Sequence, residues 1–146
     1  MKSMFWTPAA LAAAFVAGFL ARDVTPDGGV AHAQADARVF ELRTYTAPDG
    51  KLENLHARFR NHTTRLFQQH GMTNVAYFRP LDAPLSQNTL VYLLAYPSRE
   101  AAKASWDAFR NDPEWKRVAS ETQANGPIVA NVQSVFLTPA DYSPMK

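Results

Sequence analysis

Leu90-Val91-Tyr92-Leu93-Leu94 places large apolar side chains on both faces of whatever strand it forms. A half-exposed strand alternates apolar with polar residues. A strand apolar on both sides needs cover from two directions. After the first thirty-odd residues roughly 110 remain for the core, enough to fold without staples but with little surplus. Helices of the same chain can roof one side, and a second copy of the chain is the expected source of the other cover.

The segments around this strand supply the rest of a small α+β unit. Val39 to Thr46 alternates, with Phe40, Leu42 and Thr44 on one face and Glu41, Arg43 and Tyr45 on the other. The turn Ala47-Pro48-Asp49-Gly50 ends it. From Lys51 to Gln69, Leu52, Leu55, Phe59, Thr63 and Leu66 recur at steps of three and four. Arg58, Arg60 and Arg65 fall away from that stripe, so an amphipathic helix is predicted, stopped by Gly71. Thr73 to Arg79 reads as a second strand, Asn88 to Tyr96 as the third and Ile128 to Leu137 as the fourth. Ser98 opens a second helix reaching Asn111, and Asp112-Pro113 restarts a short one with Asp112 as cap and Pro113 at the first helical position. The order βαββαβ predicts a ferredoxin-like, four-stranded antiparallel sheet with its helices on one face, over residues 39–146.

Residues 1–33 read as an address. Lys2 precedes an apolar run from Met4 to Leu20, and Ala31-His32-Ala33 offers small residues at the positions a signal peptidase reads. The run of about 17 residues sits at the lower limit for spanning a bilayer, so an uncleaved membrane anchor is the alternative to a cleaved signal peptide. Residues 34–38 are then a linker. Either way the domain is expected outside the cytoplasm, periplasmic or secreted, with membrane contact only if the segment stays attached.

Several function classes are excluded. Without cysteine there is no disulfide framework, no thiolate catalysis and no zinc site built on sulfur. A formal net charge of +2, spread along the chain, gives no footprint for nucleic acid. His56, His62 and His70 lack the spacing of a metal pair, so no metal site and no cofactor are expected. Surface positions are predicted for the first two and a capping or packing role for His70. Trp106 and Trp115 read as core or interface anchors.

Val39-Phe40-Glu41-Leu42-Arg43-Thr44-Tyr45, Gly50-Lys51-Leu52, His70-Gly71, Asn111-Asp112-Pro113-Glu114-Trp115 and Asp141-Tyr142-Ser143-Pro144 together resemble the successive landmarks of NIPSNAP domains. The third strand of that family often carries a His where Tyr92 stands here. The resemblance implies a dimeric α/β barrel, in which two such sheets pack face to face around a cavity, and so a homodimer. It implies no shared reaction, since the family is described through trafficking and interaction roles.

If the helices cover the face bearing Phe40 and Leu42, then Glu41, Arg43 and Tyr45 point toward a partner sheet and line the enclosed space. A carboxylate, a guanidinium and a phenol in a row form a plausible polar end for a pocket, which Tyr77, Arg79, Tyr92 and Gln133 would share. Arg43 would grip a carboxylate or phosphate, with Glu41 holding it or acting as a base. The competing reading pairs Glu41 with Arg43 purely to set register. The expected function is binding of a small ligand or a protein partner by an exported homodimer. The alternative is a cofactor-independent monooxygenase or isomerase using the cavity.

Overall fold

The computed structural model describes residues 38–145. The expected targeting segment over residues 1–33 and nearly all of the linker lie outside the described residues. Strands β1 (Val39–Thr46), β2 (Thr73–Phe78), β3 (Thr89–Tyr96) and β4 (Asn131–Leu137) form one sheet in the order β2-β3-β1-β4, with every neighbouring pair antiparallel. The helical segments are α1 (Leu52–Arg58), α2 (Thr64–Gln69), α3 (Arg99–Asn111) and α4 (Pro113–Thr122). This is the ferredoxin-like α+β arrangement expected from the element order. Among the described residues no helix is long and apolar enough to cross a membrane.

A π-helical turn, Phe59–Thr63, joins α1 to α2 into one rod. Two threonine hydroxyls serve its backbone carbonyls, Thr63 Oγ1 donating to Arg58 O at 3.3 Å and Thr64 Oγ1 to Phe59 O at 3.2 Å. The rod buries Leu52, Leu55, Phe59, Leu66 and Phe67 against the sheet. Gly71 ends it at φ +77°, a conformation that side chains with a Cβ rarely adopt. The Ser98 Oγ caps α3 by accepting from Ala101 N, and the Asp112 carboxylate caps α4 by accepting from Trp115 N. The second Asp112 oxygen accepts from His70 Nε2 at 2.8 Å, which ties the end of the first rod to the start of α4. His70 therefore fills the capping and packing role predicted for it.

Two boundaries and one burial differ from the sequence reading. Strand β4 begins at Asn131 rather than Ile128, because Ile128 turns into the core and only Ala130 N, donating to Thr46 O, continues the pairing. Strand β2 stops at Phe78, and a bulge between Asn74 and Ala76 resets its alternation. Arg58, read as lying off the buried stripe, is itself buried, with its guanidinium 5.2 Å from the centre of the Trp115 ring.

The facing of the sheet is the larger correction. Register pairs Glu41 with Leu94, Arg43 with Tyr92 and Tyr45 with Leu90. Residues paired across a ladder share a face, and Leu90, Tyr92, Leu94 and Tyr96 are all buried under the helices. Glu41, Arg43 and Tyr45 therefore point toward the helices of their own chain, not toward a partner sheet. Phe40, Leu42 and Thr44 share the other face with Ala95, Leu93 and Val91 of β3 and with Leu137, Val135 and Gln133 of β4. That second face is apolar, with Val135 53% exposed and Leu137 41% exposed.

Candidate functional site

The buried carboxylate of Glu41, 1% exposed, organises the space between sheet and helices. Four donors converge on it. Arg43 Nη1 at 2.5 Å and Ser134 Oγ at 2.6 Å donate to one oxygen, Trp106 Nε1 at 2.7 Å and Tyr96 Oη at 2.8 Å to the other. Burial alone would raise this carboxyl, but the bonds from Ser134, Trp106 and Tyr96 and the charge of Arg43 outweigh it and hold the group below its ordinary value. Glu41 is thus an ionised anchor whose acceptor positions are already taken.

Arg43 is placed by this anchor. Its guanidinium carbon lies 4.2 Å from the centre of the Trp106 ring and 5.5 Å from that of Tyr45, so it is sandwiched between aromatic faces. Its Nε is buried without a hydrogen-bond partner. Glu41, Arg43 and Trp106 form the floor of a cleft of about 460 Å³, and Arg99, Glu100, Lys103 and Arg110 of α3 line its rim with Phe136 of β4, Lys103 and Arg110 each paired with Asp107. The Arg99 guanidinium stands 4.3 Å from the Phe136 ring centre. A cleft with an aromatic wall and several cations favours a flat, anionic molecule.

The other predicted residues fall in three places. Tyr45 and Tyr92 pack edge to face at 5.2 Å and continue into Phe59, Phe67 and Tyr77, so they belong to the aromatic core. The Tyr92 hydroxyl is buried with only the Tyr45 hydroxyl near enough to interact with it, and burial pushes its ionisation well above the usual phenol value. Tyr77 and Arg79 line a separate hollow beside β2. Gln133 is exposed on the opposite face, paired in register with Thr44. Sequence reasoning missed Ser134, Tyr96 and the site role of Trp106. Its usable signal was a tryptophan on the amphipathic helix α3, whose indole N–H needs a buried acceptor.

Among the described residues, no group of His, Cys, Asp and Glu is arranged to hold a metal ion. The family model described as NIPSNAP matches residues 40–144. The chain belongs to the NIPSNAP family. Among curated proteins, none matches it. This NIPSNAP domain is similar to the crystal structure of a NIPSNAP family protein of unknown function from Agrobacterium tumefaciens, with 19% identity and a TM-score of 0.66, covering 76% of this chain and 96% of that one. It is also similar in fold to a monooxygenase from Streptomyces coelicolor solved with nanaomycin D, at 14% identity, a TM-score of 0.51, and coverage of 75% and 93%. A cofactor-independent oxygenase from Streptomyces nogalater gives 13% identity, a TM-score of 0.51, and coverage of 74% and 98%. At these identities the NIPSNAP chain shares a fold with the oxygenases, and the likeness carries no residue roles.

Proposed function

We propose that this NIPSNAP domain is an exported homodimer that binds a flat, anionic small molecule in the cleft floored by Arg43 and Trp106. One observation carries the ligand reading: a guanidinium stacked on an indole at 4.2 Å, held by a buried carboxylate, faces open volume instead of being sealed in the core. The glutamate pays for no chemistry of its own. Its four donors leave it unable to take a proton from a substrate at neutral pH, so an oxygenase or isomerase working in this cleft would need another base.

The homodimer is supported by the second face of the sheet, where Phe40 and Ala95 are covered but the half-buried Leu42, Val91 and Leu93 lie beside the exposed Val135 and Leu137. A second copy is the occupant that the doubly apolar β3 calls for. Export is supported by Lys2, the apolar run to Leu20 and Ala31-His32-Ala33.

The ligand reading is tested by titrating the purified protein with 2-naphthoate while following tryptophan fluorescence, because Trp106 forms part of the wall. Saturable quenching is expected, weakened about tenfold in Arg43→Met, as the loss of one charge-assisted bond implies. Equal binding by wild type and Arg43→Met would overturn it.

A further inference from the structure

A second hollow, separate from the Arg43 cleft, lies between the π-helical turn and the end of β2. It measures about 250 Å³ and is walled by Phe59, Tyr77 and Phe78, with His56, Arg60 and Arg79 along its polar side. From these groups we infer that the hollow is a binding site for a small aromatic carboxylate, its ring against the three aromatic side chains and its anionic end between His56 and Arg60.

Three independent features point there. First, His56 lines the hollow, and its Nε2, turned away from solvent, has no hydrogen-bond partner in the fold. A turn of the imidazole toward the hollow would bring that nitrogen to a ligand oxygen and supply the hydrogen bond it lacks. Second, the charge around it is unbalanced. Arg79 donates to Glu53 at 2.6 Å and is neutralised, whereas Arg60, exposed on the π-helical turn, makes no ion pair among the described residues. Third, the walls are rigid. Phe59 packs against Tyr77 at 5.9 Å between ring centres, Tyr77 stacks on Tyr92 at 5.6 Å, and the Tyr77 hydroxyl donates to Asn74 at 2.6 Å. Phe78, 52% exposed, closes the far side.

The site's electrostatics agree with its geometry. Burial, then the nearby Arg79 and Arg60, lower the His56 imidazole below its ordinary value, with Glu53 opposing them. At neutral pH His56 is therefore uncharged, and in its Nε2–H tautomer it would donate to a bound carboxylate. A bound carboxylate adds the negative charge that this surrounding lacks, so it raises the His56 value. By linkage, binding tightens as pH falls toward the ordinary histidine range.

The experiment is an NMR titration of the purified protein with benzoate, following the His56 and Tyr77 ring signals, with benzamide as an uncharged molecule of the same shape. Benzoate is expected to shift both rings with a dissociation constant of about 1 mM, a strength reasonable for so small a ligand. It should move the His56 titration upward. Benzamide should bind at least about tenfold more weakly, and Arg60→Gln should weaken benzoate about fivefold. Arg60 is exposed, so this variant keeps the fold. Arg65→Gln, a change on the same rod at the residue paired with Glu114, should leave binding unchanged. Benzamide binding as well as benzoate, a His56 titration unmoved by benzoate, or shifts confined to Trp106 would each overturn the assignment. The last outcome would leave the Arg43 cleft standing and remove this site alone.

Discussion

Replacing Glu41 by Gln removes one negative charge from the centre of the fold while keeping the side chain's shape. The carboxylate accepts from Arg43, Ser134, Trp106 and Tyr96, two donors on each oxygen. A glutamine offers one oxygen, so it can keep at most two of these bonds, and its NH2 group then faces two donors. Each lost bond to a charged acceptor is worth about 1.5–3 kcal/mol, and breaking one side of a buried ion pair costs about 3–5 kcal/mol. These overlap, since the Arg43 bond is counted in both, and a loss of roughly 4 kcal/mol is the expected total. For a domain of this size that corresponds to a fall in Tm of more than about 12 °C. Urea unfolding followed by circular dichroism at pH 7 measures it, with Arg43→Met and the double variant closing a thermodynamic cycle. The double variant should be no less stable than Glu41→Gln alone, because it removes the stranded guanidinium. The acid side supplies an internal check. Glu41's folded value lies below its unfolded one, so its contribution is complete above about pH 4.3 and is lost as pH falls through the lowered folded value. Glu41→Gln should flatten that part of the stability profile. A loss below about 1 kcal/mol, or an unchanged acid limb, would refute the view of Glu41 as the anchor of the site.

Other outcomes follow from single contacts. Tyr92→Phe removes a buried hydroxyl with no well-formed hydrogen bond beyond its approach to Tyr45, so stability should change by no more than about 1 kcal/mol in the same urea assay. Gly71→Ala should cost about 1 kcal/mol or more, because Gly71 sits at φ +77°, where a Cβ is strained whatever the space around it; thermal unfolding measures it. Val135→Asp, on the bare face, should convert the proposed dimer to a folded monomer in sedimentation equilibrium, while a wild type that is itself a monomer at micromolar concentration would end the dimer reading.

The element order, the caps at Ser98 and Asp112 and the stop at Gly71 could all be read from the chain, because each depends on backbone chemistry within a few residues. Glu41, Arg43 and Tyr45 were legible as a polar row on one strand. Their direction was not. Phe40 and Leu42 look like the inward row when β1 is read alone, but the register with β3 commits the row of Glu41 to the side where Leu90, Tyr92, Leu94 and Tyr96 are buried. Local alternation says only that two rows differ; which row goes inside is set by a strand some fifty residues away. Arg58 shows the same limit, since its place follows from the π-helical turn beside it and from Trp115 on a distant helix. The sequence by itself determined that this sheet has two apolar faces and a set of ionisable groups to accommodate. Tertiary structure decided which face the helices took, because only there do Ser134, Trp106 and Tyr96 meet one carboxylate and make its burial tolerable.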